Sequence, residues 1–244
     1  MQFNDLTIYS LSAAIIIALM HINYERIAKH LDRWWPSWSV ASGGFAVGYV
    51  FLQMLPKLTL FGNKGMDKLP DYPMLGLSLI YVFVLLGFIC YWFIDVNSNE
   101  ETSEKPFWRK IQVANFFFYS ILMGELIGSS QLAAIPLVYF LTLSSILFHL
   151  AGMNHIFHHW HPTFFHRKMR WLLAIGVILG ASGGIFDLFS KAVIGLATAF
   201  MGGAILMNVI YYEMPKEKGD KTYPFLGGVL AFALIISYLR YVAN

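Results

Sequence analysis

Apolar residues in this chain come in runs of about 20, the length of a helix that crosses hydrocarbon, and not in the alternating runs of about 10 that build a barrel strand. Charged, Pro and Gly-rich stretches break them into eight, at residues 6–24, 39–60, 73–94, 111–130, 133–156, 171–189, 192–212 and 224–242. Lipid offers no partner to a backbone amide, so each run is expected as an α-helix that satisfies its own hydrogen bonds. Only a few Ser, Gln and Ala residues separate the fourth run from the fifth, which predicts a tight antiparallel hairpin at the centre. The expected fold is therefore all-α: a polytopic integral membrane protein of eight transmembrane helices, with residues 1–244 as a single transmembrane domain.

Composition reinforces the pattern. Hydrophobic residues make up 57% of the 244 positions and charged residues 13%, with a mean hydropathy of +0.59, too little polar surface to coat a soluble enzyme. The lipid bilayer is thus the first expected partner. Lys and Arg flank the apolar runs, where they report topology before nucleic-acid contact, and no nucleic-acid partner is expected. Twelve of the 17 fall in the loops on one side and five on the other, so both termini are expected on the non-cytoplasmic face of a bacterial inner or plasma membrane. The first run lacks a basic leader and a small-residue cleavage site and reads as a retained helix. All seven Trp lie near run ends, where their rings suit the headgroup zone, and the lone Cys90 lies inside a run as a packing residue.

An internal repeat is visible. The second run ends in Met54-Leu55-Pro56-Lys57 and the seventh in Glu213-Met214-Pro215-Lys216; the third opens Tyr72-Pro73-Met74-Leu75-Gly76 and the eighth Tyr223-Pro224-Phe225-Leu226-Gly227. Five spans separate the second from the seventh, so the copies run in opposite directions. Inverted repeats of this kind typify secondary transporters, with sites near the midplane where the halves meet. Here helices 1–3 and 6–8 would surround central helices 4–5.

Ionisable groups within such helices are expensive and mark candidate sites. Glu125 and His149 are the clearest, with Asn115, Gln53, Asn154 and Asn208 as neutral companions. Asp187 and Glu213 stand at run ends, where they reach water. Six of eight histidines fall between His149 and His166, and His155, His158, His159 and His161 form a candidate cytoplasmic metal-binding cluster, His155 and His159 sharing one helical face.

These residues resemble the ZIP (Zrt/Irt-like) family of divalent metal transporters, which has eight spans, both termini outside and inverted repeats about a central pair. Residues 44–57 (GFAVGYVFLQMLPK) are similar to the family's second span and residues 202–216 to its seventh; Gly124-Glu125-Leu126-Ile127-Gly128 resembles the end of its EGLAIG motif, and Leu147-Phe148-His149 the approach to HEIPEG. The resemblance implies transport of a divalent metal ion, zinc or a softer transition metal, and no enzymatic activity. This chain departs from the ligand pattern. Tyr119, Ser120 and Met123 stand where the motif has His, Asn and an acid, and Leu150 and Met153 replace two acids after His149. Counted from the hairpin at 1.5 Å per residue, His149 lies roughly 20 Å deep and Glu125 about 10 Å, so they do not share one ion.

Three readings follow. In the first, an atypical pathway built on His149, Met153 and Glu125, with the cytoplasmic histidines as exit ligands, carries a metal ion; Met123, Met153 and His149 favour a soft one. The second is a ZIP-like protein that no longer transports and binds or assembles with a partner, a second copy or another membrane protein. The third is a membrane di-iron enzyme, from the HxxHH spacing of His155, His158 and His159, although His21 and His30 supply no further box.

Overall fold

A computed structural model describes residues 5–34, 37–64, 73–98, 106–129, 136–160, 162–215, 219 and 221–243. Every regular element among them is helical: α1 Asp5–Trp34, α2 Trp38–Tyr49, α3 Leu55–Lys64, α4 Pro73–Ser98, α5 Pro106–Gly128, α6 Pro136–Trp160, the single turn α7 Pro162–Phe164, α8 Arg170–Ile185, α9 Lys191–Asn208 and α10 Thr222–Ala243. Seven helices are long and apolar enough to cross a membrane by length and composition: Thr7–Arg33, Trp38–Gly62, Gly76–Ile94, Lys110–Gly128, Pro162–Ile185, Lys191–Tyr211 and Thr222–Tyr241. The chain is a multi-pass membrane protein.

Helix ends depart from the hydropathy limits in a consistent direction. The first helix continues ten residues beyond residue 24, through Glu25 to Trp34, because hydropathy marks where lipid ends while the backbone stays helical until Gly or Pro stops it. The sixth starts early, at Pro162, a residue suited to the first helical turn. It stops at Ile185, where Leu188 N–H bonds Gly183 O (2.9 Å) and Asp187 N–H bonds Gly184 O (3.3 Å), a Schellman closure with Asp187 at φ 50°. Ser190 then caps α9, its hydroxyl accepting from Val193 N–H at 3.3 Å.

Of three π-helical stretches among the described residues, two follow α2 and α9 at matching places. Val50–Met54 precedes Pro56 and Val209–Glu213 precedes Pro215, and in each the π bond closes five residues on, Leu55 N–H to Val50 O and Met214 N–H to Val209 O. Proline explains both, since it lacks an N–H and its ring crowds the carbonyl four residues back, so the turn before it widens. For Pro56 that carbonyl is Leu52 O, and the Arg240 guanidinium on α10 donates to it.

Four helix pairs run parallel. Along α5 and α8, Gly124 faces Val177 and Gly128 faces Ala181, while Gly180 faces Ile121 and Gly184 faces Glu125; a Cβ at any of these glycines would strike the opposing backbone. On α2 and α10, Gly44 meets Phe225 and Gly228 meets Ala41; on α4 and α9, Gly87 meets Phe200 and Gly203 meets Val84. Small residues let helix backbones touch where no hydrophobic force drives them together. The α1 and α6 pair differs, being joined by side chains: Ser12 to Tyr139 (2.9 Å), His21 to Asn154 (3.1 Å) and Tyr24 to His155 (3.1 Å). The outward faces of α4 and α10 are apolar and exposed, as lipid contact requires.

Two expectations change. Trp38 is fully buried, its indole N–H donating to Asp32 (2.8 Å) and its ring edge-on to His155, so it is a packing residue and not a headgroup ring. Cys90 is exposed on α4 and faces outward instead of filling the core.

Candidate functional site

The site is built on α5 and α6. Residues before Tyr119 on α5 share a cavity with residues after His149 on α6, so the two helices run antiparallel, and at their crossing the Tyr119 hydroxyl and His149 Nε2 are 2.8 Å apart. Both residues are buried, and the phenol of Tyr49 from α2 stacks on the imidazole, 5.9 Å between centroids at 25°. His149 Nε2 is thereby fixed toward a phenol, and Nδ1 forms no hydrogen bond among the described residues.

Cavities lie on both sides of this pair. The first is walled by Asn115 and Tyr119, by His149 and Met153, and by Met201 and Asn208 from α9. The second, larger one is walled by Met123 from α5, Ser145 and His149 from α6, Tyr49 from α2, Gln53 from the π-helical turns that follow it and Lys57 from α3. Because α5 and α6 are antiparallel, the turn before Tyr119 with the turn after His149 forms one side, and the reverse forms the other. His149 belongs to both cavities. Its ring and the Tyr119 hydroxyl are the partition.

The lining is neutral. Phenols, amides, thioethers and one imidazole face the cavities, and no carboxylate does so among the described residues. The charged exception is Lys57, an exposed residue whose stem lets the ammonium leave apolar surroundings.

The structure sorts the predicted residues. His149 and Met153 come together at the first cavity, joined by Asn115 and Asn208, while Gln53 lines the second. Glu125 lines neither: it packs on α8, with its backbone between Gly180 and Gly184. Asn154 pairs with His21, His155 with Tyr24, and His158 lies against the rings of Tyr24 and Phe165. His166 is bridged to Glu25 at 2.7 Å. The side chains of His159 and Glu213, and the whole of His161, lie outside the described residues. Among those described, no three His, Cys, Asp or Glu side chains are grouped to hold a metal ion.

Sequence reasoning missed Tyr49, Met201 and His21. Tyrosine and methionine inside an apolar run carry no signal of their own, and only the neighbouring helix shows which way they face. His21 was visible as an ionisable group at mid-helix. It is fully buried, and Asn154 holds its Nδ1.

No family profile, curated protein or solved structure matches this chain.

Proposed function

We propose that the chain is a ZIP-like membrane transport protein that carries a metal ion between the two cavities, with His149 as the shared ligand. The observation that carries this reading is that one imidazole walls both cavities, which lie on either side of the Tyr119 and His149 contact along the central helices. A solute passing from one to the other must pass that ring.

Eight crossings in two inverted halves are supported by helix direction and by register. Since α5 and α8 run the same way, the chain has to return between them, and α6 with its 25 residues is the element that does so. Gly203 follows Gly44 by 159 positions and Phe200 follows Ala41 by the same 159; Phe225 follows Val84 by 141, as Gly228 follows Gly87. The same steps relate the cavities: Phe45 to Ala204 and Tyr49 to Asn208 by 159, Tyr91 to Phe232 by 141. A step of 30 carries Asn115 to Ser145, Tyr119 to His149 and Met123 to Met153. Each cavity is then the other's counterpart, as two inverted halves require. This register sets the third and eighth helices ten residues away from the Tyr-Pro match in their sequences. An even number of crossings puts both termini on one face, which the Lys and Arg bias makes non-cytoplasmic.

The absence of a lining carboxylate among the described residues favours a second reading, a relative that binds or assembles without transporting. Purified protein in proteoliposomes separates the two. Uptake across a panel of zinc and softer ions is expected for the wild type, and His149→Ala abolishes it. Uptake by neither, with both proteins folded, overturns the transport reading in favour of the subunit.

A further inference from the structure

The two cavities carry three thioethers, two of them in register. Met123 and Met153 each lie one helical turn past the Tyr119 and His149 pair, on their respective helices, and so on opposite sides of it. Met201 from α9 joins Met153 in the first cavity. A thioether therefore waits on each side of the imidazole.

Charge decides which ion such a path admits. Removing an ion from water costs a Born energy that grows with the square of its charge, so a dication pays about four times what a monocation of equal size pays. Dications recover this from carboxylates, and none lines either cavity among the described residues. Thioether and imidazole bind soft d¹⁰ monocations without needing a negative charge.

We infer that the substrate is a soft monovalent metal ion of the Cu(I) and Ag(I) class, held in the first cavity by Met153, Met201 and His149 and handed across His149 from Met123. This deepens the transport reading and rests on it for direction, but the binding site stands by itself. Ligation by His149 uses the Nδ1 lone pair, which exists when Nε2–H donates to the Tyr119 oxygen.

Ag(I) is the probe, because it needs no reductant. The background is Cys90→Ala, since the exposed thiol of Cys90 would bind silver itself. Titration of the detergent-solubilised protein is expected to show one tight site with Zn(II) at least a hundredfold weaker. Met153→Leu and Met201→Leu, which conserve volume and so spare the fold, each raise the Kd for Ag(I) at least tenfold. Met207→Leu, a buried methionine outside both cavities, and Met214→Leu, an exposed one, leave it unchanged. Equal affinity for Zn(II), or silver binding indifferent to Met153 and Met201, overturns the soft-ion site. Tight, methionine-dependent binding without uptake into proteoliposomes overturns the transport reading and leaves the site standing.

Discussion

Two interfaces that the inverted arrangement would superpose are built on opposite principles. Between α5 and α8 the contact is backbone on backbone, with Gly124, Gly128, Gly176, Gly180 and Gly184 opening the space. Between α1 and α6 the helices are joined through side chains, with His21 on Asn154, Tyr24 on His155, and Tyr139 reaching both Ser12 and the carbonyl of Tyr9. A glycine seam has one fitting register, because shifting it drives Cβ atoms into carbonyls. Hydrogen-bonded side chains can exchange partners at little cost in lipid, where such bonds average under about 1 kcal/mol. α8 is therefore locked to α5, and α1 is held to α6 by contacts that can be remade. His149 sits on the helix of the second kind.

The largest test breaks the seam. Gly180→Leu puts a side chain into the backbone of Ile121 and Glu125, and a loss of about 3 kcal/mol or more is expected, seen as a collapse of the detergent melting temperature or as no folded protein. A melting temperature like that of the wild type would mean that the helices are not this close. Next comes the polar interface. Asn154→Leu removes the partner of a fully buried His21, and about 1 to 2 kcal/mol should be lost. Adding His21→Leu should restore part of this, since no unpaired imidazole remains; strictly additive losses would deny the coupling. The smallest effect is at the end of the seam. Asp187→Gly relieves a left-handed backbone that disfavours any side chain, and a gain of up to about 1 kcal/mol is expected from thermal unfolding.

Much of the fold was legible because hydrocarbon imposes its own rule. Seven of the eight apolar runs correspond to helices of membrane-crossing length and composition, and the Leu-Pro and Met-Pro endings of residues 54–57 and 213–216 coincide with the matching π stretches. The Tyr-Pro openings were less informative. Proline and tyrosine suit any interface, so those residues align by chemistry, whereas the backbone contacts fall elsewhere on the same helices, Val84 against Gly203 and Phe225 against Gly44. At the site, His149 and Met153 were readable as polar or polarisable residues on a buried helix. Glu125 was legible as an ionisable residue but not as one turned toward α8, because hydropathy does not say which neighbour a helix face meets.

Alone, the amino-acid sequence determined that the chain lives in lipid, where its helices are, and that its centre carries few charges, since each follows from the cost of taking a residue type out of water. Tertiary packing decided that a phenol from α5 meets His149, that cavities flank this pair on both sides, and that His155 and His158, further along α6, meet Tyr24 of α1. The physical reason is that burial energy depends on composition and is nearly local, whereas a site depends on which faces touch, and in a bilayer that is settled by where glycines let two backbones come together.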